Sequence, residues 1–600
     1  ADLSPRLARQ TEVISVAVGG QDEVFRQVAE QARRDFIRSE LIIVPVVFLL
    51  LLWFYRRVAP VLLTLGVGLA AMVSTLALLR LLTLVTEVST FAANLTLVLG
   101  LGLGIDYGLF TILRFREELS RDQAVPVAVA RTVRTAGRTV IFSGVTVAVS
   151  LSVLLAFPFP FLSSFAYAGV LVVLSSVVGA VIVIPAALAV LGHRVSRRGG
   201  AAPAAATPDD RQGRWYRAAI TVMRRPGLTG GAALLLLLVL GSPFLGVRFG
   251  LPDERILPPD ASSRQVQQQI RDDFGVEYSD AIQVVVPQLS AVARAEELTR
   301  YASALSRIAG VARVDTAVGG FVDGERVADA AAWSTRFTDG AGTWLSVIPT
   351  TAALDDATGL VERVRQTPAP SPVLVGGYPA DMTDFRDRLV GRLPLVAALV
   401  LLVTFAILFL LSGSLLLPLK ATVLNVLSLS VMFGALVWVF QEGNGAGLIG
   451  FTPTGTLEPS IPILMFCVAY GLSMDYEVFM LSRIKEEYDR GGDNTHAVAA
   501  GLQRSGPLVT AAAAIMAVTF ATYATGRVGF LQMLGISMAL AILVDATVIR
   551  AVLVPAFMRL AGRANWWAPG FLRRLHARFG ISEADPAVAG RPVAPDDVAA

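Results

Sequence analysis

Two aspartates stand where a carboxylate is costly. Asp106 lies in LGLGIDYGLF and Asp475 in AYGLSMDYEVF, each inside an apolar stretch long enough to cross a bilayer. Each stands eight residues before an arginine, Arg114 or Arg483. At helical rise this puts both about 12 Å inside that helix end. A carboxylate in an apolar helix is expensive and marks function by default. Two such acids facing each other can share a proton and release it when water arrives, which is the chemistry of a proton-driven transporter. A static polar clamp between two helices is the other reading. Tyr107 and Tyr476 directly follow the acids. Neighbours on a helix point about 100° apart, so each tyrosine is expected to reach the other helix's aspartate rather than its own.

Other residues in these stretches carry weaker signals. Asp545, in AILVDATVIR, either extends a proton path or caps a neighbouring helix, and Arg550 is expected to snorkel to the nearby membrane face. Ser143, Thr146 and Thr510 follow the two acids and are either relay groups or backbone-satisfied packing residues. Gly100, Gly104 and Gly108 form a ridge at four-residue spacing, which suits close helix packing. They are no phosphate loop, because Tyr107 stands where GxGxxG needs glycine.

The two acids belong to an internal repeat. GLGIDYGLFTILRFREE (102–118) and GLSMDYEVFMLSRIKEE (471–487) match at eight of 17 positions, at an offset of 369 residues (475 − 106). Gly137 and Val140 correspond to Gly506 and Val509 at the same offset. Upstream, VGG at 18–20 matches VGG at 375–377, each followed by a charged helix and an apolar run. The second VGG is preceded by a further span and a large polar block, the first by only 17 residues. By the repeat logic a first span and most of a first outer domain are expected to be missing, and the chain alone is expected to be unstable or inactive.

The elements that position these residues follow from composition. The chain has 600 residues, 54% hydrophobic and 16% charged, with mean hydropathy +0.62. A soluble domain has about 25% charged residues, so the class is a polytopic α-helical membrane protein. A net charge of +4 with scattered arginines leaves no nucleic-acid footprint. One cysteine excludes an intrachain disulfide, and three scattered histidines argue against a histidine metal site. The bias of arginine over lysine reads as a GC-rich genome. No nucleophile–base pair supports an enzyme.

Eleven apolar runs of spanning length cover roughly 41–54, 60–82, 91–113, 139–157, 163–190, 228–247, 393–412, 416–440, 460–482, 507–525 and 530–557. Arginines cluster at one set of ends (56–57, 114–138, 194–198, 483–490), which makes that face cytoplasmic, with Arg80 and Arg527 as exceptions. The expected organisation is a remnant of a first outer domain (1–40), a five-helix bundle (41–192), a cytoplasmic linker with an interfacial helix (193–227) and a single span (228–247). A second outer domain (248–392), a second five-helix bundle (393–560) and a cytoplasmic tail (561–600) follow. Within 248–392 the pattern strand 281–286, helix 290–309, strand 311–318, strand 343–349, helix 354–366, strand 373–375 predicts a ferredoxin-like α/β domain.

On these residues the chain resembles the mycobacterial membrane protein large (MmpL) family of the resistance–nodulation–division superfamily. The matching motifs are GLGIDYGLFTILRFREEL (102–119), GLSMDYEVFMLSRIKEEYDR (471–490), TAGRTVIFSGVTV (135–147), LVDATVIR (543–550), DERILP (253–258) with SRQV (263–266), and the tail NWWAP–LRRLHARFG (565–580). The resemblance implies an exporter driven by the proton gradient, with no other cofactor, in the cytoplasmic membrane. Its cargo would be lipids or other hydrophobic or amphiphilic molecules, and an oligomer or accessory proteins stay open. It implies that Asp106, Tyr107, Asp475 and Tyr476 are the proton relay. The rival readings are a non-transporting sterol-sensing-like scaffold and a proton-driven accessory of protein export.

Overall fold

The computed structural model describes residues 4–10, 14–121, 124–195, 213–250, 254–274 and 278–579. Among the described residues, eleven helices are long and apolar enough to cross a membrane. Spans 1–5 are Gln21–Tyr55, Val58–Leu82, Phe91–Leu119, Val125–Ala156 and Pro160–Arg194. Span 6 is Pro226–Gly246, and spans 7–11 are Tyr378–Ser412, Leu416–Gln441, Ser460–Gly491, Asn494–Tyr523 and Gly529–Trp566. The boundaries drawn at residues 40 and 392 fall inside single helices, spans 1 and 7. Hydropathy marks where a helix leaves the apolar layer, not where its hydrogen bonds stop, so the charged turns 21–40 and 378–392 simply continue it.

The repeat is visible in the backbone. Both VGG motifs end in the N-cap of a long span, Gly20 at φ 98° and Gly377 at φ 91°. Side chains rarely adopt that conformation, which accounts for glycine at the same place twice. Spans 3 and 9 are the most enclosed, and span 6 the least. The halves interlock: span 9 packs on span 4, and span 10 packs on span 3. Span 3 approaches span 2 closely along the glycine ridge. A Cβ at Gly104 would lie 2.4 Å from Gly68 Cα, and one at Gly100 would lie 2.5 Å from Met72 Cγ. At Gly108 the contacts are Thr64 and Ile184 at 3.2 Å.

The polar block between spans 6 and 7 is an α/β domain. Its strands are β1 (Ile282–Val286), β2 (Val311–Thr316), β3 (Gly319–Val322), β4 (Glu325–Asp329), β5 (Thr343–Pro349) and β6 (Leu374–Gly376). They form one antiparallel sheet in the order β4-β3-β2-β5-β1-β6. The ferredoxin-like core of four strands and two helices is present, with helices Ala295–Ser306 and Ala357–Gln366 after β1 and β5. The β3–β4 hairpin is an addition that the sequence pattern did not mark. GGFV carries two glycines and β4 is exposed at four of five positions, so neither shows apolar alternation. The core is built from Val284, Val286, Leu298, Leu345, Val347 and Leu360.

The expected interfacial helix is Arg214–Arg224, here α1, packed on span 10. Most of the expected linker (196–212), the tail beyond 579 and Asp253 lie outside the described residues.

Candidate functional site

Span 3 carries Asp106 and Tyr107, and span 9 carries Asp475 and Tyr476. Where the two helices face each other, the pairs cross. The Tyr107 hydroxyl donates to Asp475 Oδ2 at 3.1 Å, and the Tyr476 hydroxyl donates to Asp106 Oδ2 at 2.5 Å. The angle between adjacent helical residues dictates this exchange: each tyrosine points past its own aspartate to the partner helix. The other oxygen of each carboxylate, Oδ1 of Asp106 and of Asp475, is buried with no hydrogen-bond partner. All four residues line a cavity with Phe110, Phe479, Thr139, Ser143, Leu508 and Ala512. It offers about 50 Å³ open to water, more than one water needs. Phe110 and Phe479, themselves repeat mates, meet edge to face at 4.5 Å one helical turn towards the arginine-marked face. Ser143 donates to the Tyr107 hydroxyl at 3.3 Å. Thr146 and Thr510 instead bond their own helices, at Phe142 O and Gly506 O.

Asp545 belongs to a separate polar group. Arg550 holds Asp545 Oδ2 at 2.6 and 3.0 Å and also donates to the Ser473 carbonyl at 2.6 Å. The Ser473 hydroxyl lies 3.0 Å from Asp545 Oδ1 and 2.9 Å from Asn425 Oδ1, donating to one at a time. The expectation that Arg550 snorkels to the membrane face is corrected here. It is 3% exposed, because a carboxylate five residues back gives the guanidinium a closer partner than water. Its guanidinium carbon lies 5.5 Å from the Tyr476 ring centroid, so the group abuts the crossed pairs.

Sequence reasoning missed a buried ion pair beside this group. Lys420 Nζ of span 8 lies 3.1 Å from Glu477 Oε1 of span 9, both almost fully buried. The signal was present: Lys420 is one of two lysines in the chain, inside an apolar run, and Glu477 follows the second D-Y pair. The repeat places Gly104 and Gly108 where Ser473 and Glu477 stand. The first bundle closes on glycine where the second carries charge. Among the described residues no cluster of His, Cys, Asp or Glu could hold a metal ion.

A family model described as the MMPL family matches residues 5–229 and 255–593. A putative membrane protein of Streptomyces coelicolor is 39% identical over 97% of this chain and 78% of its own length. The trehalose monomycolate exporter MmpL3 of Mycolicibacterium smegmatis is 31% identical over 95% of this chain and 58% of that protein. The heme uptake protein MmpL11 of Mycobacterium tuberculosis is 30% identical over 98% of this chain and 60% of that protein. The chain thus spans about three fifths of these two mycobacterial relatives. Among solved structures, the hedgehog release protein Disp of the water bear Hypsibius dujardini superposes with TM-score 0.58 at 14% identity, over 88% of this chain and 71% of that one. SecDF of Thermus thermophilus gives 0.53 at 15% identity, over 89% and 62%. These two likenesses concern the fold. The chain belongs to the MMPL family, within the resistance–nodulation–division superfamily.

Proposed function

We propose that this MMPL-family chain is a proton-driven transporter that moves lipids or other amphiphiles across the cytoplasmic membrane, with its α/β domain on the outer side. The observation that carries the reading is the reciprocal pair Tyr107–Asp475 and Tyr476–Asp106 between the two repeats. Four polar groups held at one level inside the bundle, one buried and three half-buried, are costly to keep there. An inert clamp would satisfy every acceptor, whereas here one oxygen of each carboxylate has no hydrogen-bond partner, and the two aspartates line a cavity with room for water.

Proton occupancy of the pair selects between helix arrangements. With both carboxylates charged, they repel each other and spans 3 and 9 are pushed apart. With a proton shared, the tyrosine bonds draw the spans together. A membrane potential supplies about 2.3 kcal/mol per charge per 100 mV, enough to bias such a two-state element. The presence of an acid in each half favours transport over a scaffold role. A relative named as an exporter and another named for heme uptake support amphiphilic cargo.

The test is transport in proteoliposomes loaded with lipid extract from a strain lacking the gene, with and without an imposed proton gradient. Gradient-dependent movement of a lipid species that accumulates in that strain is the expected result. Cargo movement unaffected by collapsing the gradient would reject proton drive.

A further inference from the structure

The two crossed pairs are chemically alike but differently connected, and the difference lies in span 4 against span 10. Tyr107 receives a hydrogen bond from Ser143, one turn of span 4 beyond Thr139. Thr139 in turn donates to the Thr135 carbonyl at 3.3 Å, and Arg114 donates to the Thr135 hydroxyl at 3.1 Å. Thr135, Thr139 and Ser143 therefore stack at four-residue spacing along one wall. The stack runs from the charged helix ends of the arginine-marked face to the Tyr107 hydroxyl. Burial deepens along it: Arg131 is exposed, Thr135 half-buried, and Thr139 and Ser143 buried. The backbone opens into a π-helical turn, Val133–Gly137, at the stack's outermost residue, a distortion frequent at functional sites.

The opposite wall has neither the hydroxyls nor the π-helical turn, although burial deepens there too, from half-buried Arg504 and Leu508 to buried Ala512. At the repeat offset Thr135, Thr139 and Ser143 correspond to Arg504, Leu508 and Ala512. Arg504 is held by Glu487, and the two residues deeper in are apolar. Helix α1 covers that wall's entrance. Gln503 Oε1 accepts from the Trp215 and Tyr216 backbone N–H groups at 3.1 Å, and Trp215 sits against Gly506, where a Cβ would lie 2.6 Å from the ring. At the mate, Gly137, the nearest atoms are valine methyls at 3.7 Å.

We propose that protons pass between Asp475 and the arginine-marked face along the Thr139–Ser143 wall alone, and that Asp106 exchanges through Asp475 rather than through its own side. The inference rests on the proton reading above. In the step that releases a proton to the arginine-marked face, the Asp475 carboxyl gives its proton to Tyr107 O as Tyr107 gives its own to Ser143. Ser143 passes one on through water and Thr139, and a water at the face carries it off. Each hydroxyl regains what it loses, and one carboxylate is left. Hydroxyls that donate towards Asp475, as Ser143 and Tyr107 do here, are the arrangement left after such a step.

Two measurements on the full chain test it. Cys467 is the sole cysteine and is buried, so Thr139→Cys, Ser143→Cys, Leu508→Cys and Ala512→Cys can be labelled with a charged thiol reagent applied from the arginine-marked face. Thiolate chemistry needs water, so labelling at 139 and 143 should be at least about tenfold faster than at 508 and 512. Equal rates on both walls, or faster labelling at 508, overturn the route without reference to transport. In proteoliposomes, Thr139→Val/Ser143→Ala should slow gradient-driven proton flux by about tenfold or more. Thr146→Val, which removes a buried hydroxyl elsewhere on span 4, should leave flux unchanged. Full flux in Thr139→Val/Ser143→Ala, with Asp475→Asn silent, would overturn the route and leave the proton site standing. Full flux in Asp475→Asn would instead overturn the proton reading itself.

Discussion

At the scale of residues, two oxygens set the account apart from a clamp: Asp106 Oδ1 and Asp475 Oδ1, buried and unbonded. If the site only held helices together, Asp→Asn would keep much of the hydrogen bonding and the function. If it holds a proton, asparagine removes the group that titrates. Asp106→Asn or Asp475→Asn alone should therefore stop proton-coupled transport while leaving the size-exclusion profile unchanged. Tyr107→Phe and Tyr476→Phe should slow it less, because the carboxylates stay, and Tyr107→Phe should be the slower of the two because Ser143 connects there. Initial rates of a pH-sensitive dye inside vesicles read all four variants. The sequence made Asp106, Tyr107, Asp475 and Tyr476 legible because a repeated charge inside an apolar run has no cheap structural excuse. It did not reveal that Ser143, rather than Thr146, reaches the tyrosine. Both are hydroxyl residues in the same turn region, and which one points inward depends on how span 4 rotates against span 3.

At the scale of elements, the duplicated bundles have diverged in how they close. Span 3 meets span 2 through Gly104 against Gly68, whereas span 9 meets span 8 through Ser473–Asn425 and Glu477–Lys420. Filling the glycine contact should cost stability: Gly104→Leu adds a Cβ that would lie 2.4 Å from Gly68 Cα and is expected to cost about 1–3 kcal/mol or more. Thermal unfolding in detergent measures it as a lower midpoint. The ion pair makes a sharper case. Lys420→Met leaves Glu477 charged and buried, a loss of about 3–5 kcal/mol. Lys420→Met/Glu477→Leu should recover most of that, because neither charge remains to be desolvated. A double variant no more stable than Lys420→Met would show that the pair is not a self-contained unit. The spans themselves were legible from hydropathy, and β5 was read to the residue. The β3–β4 hairpin and the continuation of spans 1 and 7 into charged turns were not. In both cases the backbone is held by hydrogen bonds that apolar patterning does not record.

At the scale of the whole molecule, the two halves share one level of buried acids, and the arginine-rich ends lie together on one side. The α/β domain emerges from the opposite side, between spans 6 and 7. Cysteines at Asp329, whose side chain is 93% exposed on β4, and at Arg134, exposed in the arginine-rich first turns of span 4, should label from opposite sides of intact cells. Asp329→Cys should react from outside and Arg134→Cys only after permeabilisation. The reverse pattern would invert the orientation and with it the direction of the proton path. The most direct test of the central claim is proton flux in sealed vesicles under an imposed gradient, comparing the unmodified chain with Asp106→Asn/Asp475→Asn. The account predicts gradient-driven acidification in the first and only passive leak in the second, with both proteins equally folded. Flux at the unmodified rate in the double variant, with the same dependence on the gradient, would contradict it.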